Sequence, residues 1–79
     1  MKEKITKKVI AQVELLSSKI ITDNDYNIFS NGFLDSLNVL HIILFMETEF
    51  GIVINPYEIS IENLNSINKI TNFIFVKIK

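Results

Sequence analysis

The apolar residues of this 79-residue chain recur at helical spacings in three places. Ile5, Val9, Val13, Leu16 and Ile20 follow one another at intervals of four, four, three and four. That spacing predicts a helix over about residues 3–18 with one buried stripe and with Lys4, Lys7 and Lys8 on the solvated side. Thr22 to Asn31 is rich in Asp and Asn and reads as a long loop, anchored by Ile28 and Phe29 with help from Tyr26. A second helix is predicted over about 36–50, ended by Gly51. Ile52 and Ile54 alternate around Val53, too briefly to build a sheet. Asn55-Pro56-Tyr57-Glu58 is a helix-start pattern, with Asn to cap, Pro at the first helical position and Glu where a capping box needs it. One or two short turns then run to Leu64. Ser66 caps a last helix, whose stripe is Ile67, Ile70, Ile74 and Ile78 joined by Phe73, reaching about Val76. These pieces imply an all-α fold, a small antiparallel four-helix bundle with a long first loop. Its predicted core is Val9, Val13, Leu16, Ile43, Met46, Phe50, Ile54, Ile70 and Ile74.

The central helix carries more apolar surface than one core can take. With Ser36 at 0° and about 100° per residue, Ile42, Met46, Val39, Phe50 and Ile43 fall between about 240° and 340°, on a core-facing arc. Leu40, Leu44 and Leu37 fall between about 40° and 100°, with Thr48, His41 and Phe45 just beyond. A helix buried on two sides would show this pattern, and so would one that keeps an apolar patch for a partner. A chain this short has too little protein to cover both sides, so the second stripe is read as a partner surface.

Composition narrows the picture. The length suits one domain over residues 1–79, near the lower limit for a stable single core, so the core must be efficient. The 48% apolar content and fifteen isoleucines can supply it. Cysteine is absent, so there is no disulfide, thiolate ligand or cysteine nucleophile. One histidine and scattered acids make no metal cluster. From Asp23 to Glu62 there are seven acidic residues and no lysine or arginine, while the flanking segments each carry a net charge of +3. The acidic middle and the lack of arginine argue against nucleic acid and favour partners with basic surfaces. The longest apolar run, Ile42 to Met46, is too short to span a bilayer, and the lysine-rich start has no secretory core. A cytoplasmic monomer is expected.

Chemistry centres on Ser36. As a catalytic nucleophile it would need a base within hydrogen-bond reach, yet His41 lies about 140° round the helix and more than a turn away. As a helix N-cap it needs no function at all. The surrounding residues add a third reading. Phe29-x-x-Gly32-Phe33-Leu34-Asp35-Ser36-Leu37, followed by an apolar helix ending Glu49-Phe50-Gly51-Ile52, resembles the acyl carrier protein family, which includes peptidyl and D-alanyl carriers. The resemblance extends in layout over nearly the whole chain.

That resemblance implies a non-catalytic carrier. Ser36 would bear a phosphopantetheine arm taken from coenzyme A by a phosphopantetheinyl transferase. A ligase or adenylating enzyme would load an acyl or aminoacyl group on the arm's thiol, and an acceptor transferase or synthase would receive it. Asp35, otherwise a turn residue, would also contact the transferase, through that enzyme's metal ion. Leu37, Leu40, His41, Leu44, Phe45 and Thr48 would form the partner face. Asn63-Leu64-Asn65-Ser66-Ile67-Asn68-Lys69-Ile70 looks most like the D-alanyl carriers and their stand-alone aminoacyl relatives, and a D-alanyl carrier for cell-wall polymer modification is the alternative within the family. Fatty-acid carriers tend to have an acidic second helix. Here that face has only Glu47 and Glu49, which points to a dedicated pathway with a more apolar docking surface. The reading from another class is a helical interaction module whose serine stays unmodified.

Overall fold

The computed structural model describes residues 2–30 and 32–78. Asn31, the last residue of the predicted first loop, lies outside them. The protein is all-helical: α1 is Lys2–Ser17, α2 is Ser36–Phe50, a 3-10 turn covers Pro56–Glu58, α3 is the single turn Ile61–Leu64, and α4 is Ile67–Ile78. No strand occurs among the described residues.

The core gathers residues from all four α-helices and from the segments around α2. α1 contributes Ile5, Val9 and Val13, α2 contributes Ile42 and Met46, and α4 contributes Ile67, Ile70 and Ile74. Leu64, the two loop residues Ile28 and Leu34, and Ile52 and Ile54 after α2 complete it. Six of the nine residues expected in the core are buried. Leu16, Ile43 and Phe50 are only partly buried and pack against the rim. Ile43 and Phe50 stand at the edge of the inward arc of α2, where a small domain has no further layer to cover them. Phe50 is finished by an edge-on contact with Phe45 at 5.7 Å and by the Lys8 ammonium 5.8 Å from its ring centre.

Ile20 departs furthest from the expected stripe, at 77% exposed. The helix that would have carried it inward stops at Ser17, because Ser18 takes a left-handed conformation with φ of 58° while its N–H still bonds to Glu14 O at 2.8 Å. The described residues between α1 and α2 then form no helix or strand, yet the segment is tied at several points. The Ile21 N–H donates to Glu14 Oε2 at 2.8 Å. The Asn68 N–H donates to Asn24 O at 3.0 Å, and Asn68 Nδ2 donates to Asp25 Oδ1 at 2.7 Å. The fully buried Ile28 donates its N–H to Asn65 O at 2.9 Å and accepts from Leu34 N at 2.8 Å. A buried peptide cut off from water must be paired in this way.

The termini of the later elements follow their sequence signals. Gly51 closes α2 with φ of 65°, its N–H on Glu47 O at 3.0 Å. The Asn-Pro-Tyr-Glu pattern makes only the 3-10 turn, with Glu58 Oε2 accepting from Asn55 N at 2.9 Å. Ser66 Oγ accepts from Lys69 N at 3.2 Å at the start of α4, which runs on to Ile78. Lys2 lies over Phe75, and Thr6 donates to Thr71 at 3.3 Å, so the start of α1 lies beside the end of α4.

Glu58 and Lys77 clasp the connection after α2 to α4. Lys77 Nζ donates to Glu58 Oε2 at 2.6 Å and to Val53 O at 3.1 Å. The bond from Lys77 first, and then the Asn55 N–H, hold the Glu58 carboxyl below its ordinary value of 4.5. A group whose pKa is depressed by folding stabilises the fold above its unfolded value and loses that contribution as pH falls through the folded one. Glu58→Gln is therefore expected to lower the urea midpoint at neutral pH, with the gap to wild type closing below pH 4.5. A gap that stayed constant down to pH 3 would show that the clasp does not act through the carboxylate charge. In the core, Met46→Ala is expected to cost about 2–5 kcal/mol and Leu44→Ala under about 1 kcal/mol, both read from urea unfolding.

Candidate functional site

The site is built where the first loop meets α2. Gly32 turns the chain with φ of 77°, and its N–H bonds to Phe29 O at 3.3 Å. Leu34 then drops into the core, 4% exposed, and fixes the direction from which the chain enters the helix. Phe33 stays half-buried, edge-on to Tyr26 at 5.2 Å, with the Lys19 ammonium 5.0 Å from its ring centre.

Asp35, not Ser36, is the N-cap of α2. Its backbone is extended, with φ of −113° and ψ of −179°. Its Oδ1 accepts from Asn38 N at 3.1 Å, and its own N–H donates to Asn38 Oδ1 at 3.1 Å. This reciprocal box satisfies two backbone donors at the helix start. The expectation that Ser36 caps the helix is thus corrected. An aspartate one residue earlier, with an asparagine three residues beyond it, makes the stronger pair. Asn38 is the participant that the sequence reading missed, and the Asp-x-x-Asn spacing was the signal for it.

The correction frees the serine. Ser36 is the first helical residue, exposed, with its hydroxyl outside the box. The first-turn N–H groups and the positive end of the helix dipole lie next to it, a setting that favours a negative group. His41 is exposed on α2, about 7.5 Å further along the axis. Among the described residues no three His, Asp or Glu side chains come together as a metal site.

Beyond Ser36 the outward stripe of α2 stands in solvent. Leu37 is 65% exposed, and Leu40 and Leu44 are each 59% exposed. His41 and Thr48 are exposed as well, Thr48 Oγ1 donating back to Leu44 O at 2.7 Å. Phe45 does not share that position. It is partly buried and packs on the core rim against Phe50. At about 180° it lies between the two arcs, and a large ring there gains more by turning inward. A surface groove of about 830 Å³ runs along α3 and α4 past Glu58, Phe73 and Val76 and touches none of these residues. Among the described residues no helix is long and apolar enough to cross a membrane.

Comparison of the chain with protein-family models, with curated proteins and with solved structures gives no match. The chemistry of the site itself is therefore what bears on function.

The cap assignment separates two neighbouring residues. Asp35→Ala is expected to cost about 0.5–2 kcal/mol through loss of the cap, whereas Ser36→Ala should change stability by less than about 0.5 kcal/mol. Equal losses in urea unfolding would return the capping role to Ser36.

Proposed function

We propose that this chain is a stand-alone carrier protein that holds an acyl or aminoacyl group on a phosphopantetheine arm at Ser36. In this reading its helices form the antiparallel four-helix bundle of acyl carrier proteins. The observation that carries the reading is the combination at the start of α2. An exposed serine sits on the first turn, just after a capping aspartate and a loop pinned to the core through Ile28 and Leu34. The residues fit a phosphodiester. The Ser36 hydroxyl is accessible, and the Asp35 carboxylate is drawn back toward Asn38 N. Free first-turn N–H groups supply the favourable end of the helix. The arm, once bound, supplies a thiol for a thioester, which this cysteine-free chain cannot provide for itself.

The chain's own contribution is placement. The helix start holds the phosphate end of the arm, and the pinned loop keeps that point fixed relative to α2. Activation and transfer belong to separate enzymes: a phosphopantetheinyl transferase that draws on coenzyme A, a ligase that loads the cargo, and an acceptor enzyme. Leu37, Leu40, His41, Leu44 and Thr48 provide the face those enzymes meet, with Phe45 at its edge. The Asn63–Ile70 stretch resembles D-alanyl and other stand-alone aminoacyl carriers, so D-alanine for cell-wall polymers is the alternative cargo within the family.

The exposed leucines also favour a second reading, in which α2 binds a protein partner and Ser36 stays unmodified. One measurement separates the two. Incubation with coenzyme A, magnesium and a broad-specificity phosphopantetheinyl transferase should add one arm per chain by intact mass, and Ser36→Ala should abolish the addition while circular dichroism stays unchanged. A wild-type chain that gains no mass supports the unmodified module, and a modified Ser36→Ala chain moves the site elsewhere.

A further inference from the structure

A small pocket opens on the segment between α1 and α2, a short way along the chain from Ser36. Ile21, Thr22, Asp23, Tyr26 and Phe33 line it, and its volume is about 210 Å³. That is below the roughly 300 Å³ at which pockets for drug-sized ligands begin, so its occupant must be small. The walls combine two features. Tyr26 and Phe33 meet edge-on, with ring centres 5.2 Å apart, and supply aromatic surface. Asp23 supplies a carboxylate, whose Oδ1 accepts from Asp25 N at 2.9 Å. Among the described residues no cation lies within ion-pair range of that carboxylate; the ion pairs are Lys8–Glu49 and Lys77–Glu58. Lys19, the nearest lysine in the sequence, instead places its ammonium 5.0 Å from the Phe33 ring centre. The aromatic wall thus already attracts a cation from within the chain, while the carboxylate has none.

We infer that this pocket docks the ammonium group of a small aminoacyl cargo, folded back on the arm at Ser36. The inference rests on the proposed arm. Charge complementarity selects the occupant. An ammonium is attracted both to the Asp23 carboxylate and to the aromatic rings. A neutral acyl group would gain only the apolar contacts, and an acidic one would be repelled by Asp23. Reach is sufficient. Phe33 stands three residues before Ser36, at most about 11 Å away along the chain, and an extended phosphopantetheine arm is longer than that. Asp23 is exposed, and an exposed ion pair is weak, so a free ammonium ligand would rarely occupy the site. The tether changes this, because a short flexible linker supplies an effective concentration of about millimolar. Docking of this strength shelters the cargo without holding it back from an acceptor enzyme.

The test compares the full chain with a bare arm, an alanyl arm and a propionyl arm by two-dimensional amide NMR. The two cargoes differ only in the ammonium group. A broad-specificity phosphopantetheinyl transferase installs them from coenzyme A analogues in which an amide replaces the hydrolysable thioester, and intact mass confirms one arm per chain. Relative to the bare arm, the alanyl arm should shift the amides of Ile21, Thr22, Asp23, Tyr26 and Phe33, and the propionyl arm should leave them in place. Asp23→Asn should abolish the alanyl-specific shifts. Asparagine keeps a side-chain oxygen to accept from Asp25 N and removes only the charge, so the spectrum of the chain with a bare arm should otherwise match wild type. Identical spectra for the alanyl and propionyl forms, or alanyl-specific shifts that persist in Asp23→Asn, overturn the ammonium pocket and leave the arm at Ser36 standing. A wild-type chain that accepts no arm, from the analogues or from coenzyme A itself, overturns the proposed function, and this inference falls with it.

Discussion

The peptide of Ile28 holds this molecule together in a way no helix does. Its side chain is wholly buried, between α1 and α2, where the described residues form no helix or strand. A buried irregular backbone is tolerated only when its polar groups are paired. Here Asn65 O takes the N–H and the Leu34 N–H takes the carbonyl oxygen. The first bond joins the loop to the α3–α4 junction. The second closes the turn that delivers Leu34 to the core and Asp35 to the start of α2. The position of Ser36 thus depends on a side chain eight residues earlier and on a carbonyl from the far end of the chain.

Around that anchor, α2 divides its surface between two tasks. Its inward arc buries Ile42 and Met46 in the core, with Val39, Ile43 and Phe50 partly buried against it. Its outward arc leaves three leucines in water, next to a serine that the cap has released from structural duty. Those leucines are largely in water and contribute little to stability, and in the proposed reading they are the contact surface. The charges are disposed to match. Lys8 with Glu49 and Lys77 with Glu58 link elements at the end of α2 and beyond it, away from Ser36. The Lys8–Glu49 pair is about half exposed and contributes little to stability, on the order of 0–1 kcal/mol. Its consequence is local: it removes a free carboxylate from the helix surface.

Much of this was legible in the chain. The stripes of α1 and α4 predicted Val9, Val13, Ile70 and Ile74 in the core, because a period near 3.6 can bury only one side of a helix. The limits of α2, its two-sided character and the exposure of Leu37, Leu40 and Leu44 were readable for the same reason. The failures fall where periodicity meets a boundary. Ile20 continues the stripe of α1 on paper, but Ser18 has already left the helix. Phe45 lies between two arcs, and only the neighbouring Phe50 decides which way it turns. Ser36 and Asp35 are both capping types, and the choice between them depends on which carboxylate or hydroxyl meets Asn38.

The sequence by itself determined which residues are apolar at which spacing, and hence the helices, the one-sided cores and the surplus of leucine on α2. It also determined the absence of cysteine and the charge-free run from Ser36 to Met46. Local pattern suffices there because helical geometry converts spacing directly into direction. Tertiary structure alone decided that Ile28 bonds to Asn65, that Glu49 is answered by Lys8, and that Asp35 rather than Ser36 closes the helix. The first two join residues more than thirty-five positions apart, and nothing in their local sequence encodes the meeting. The last turns on the path by which the chain enters α2, and that path is set by the burial of Ile28 and Leu34.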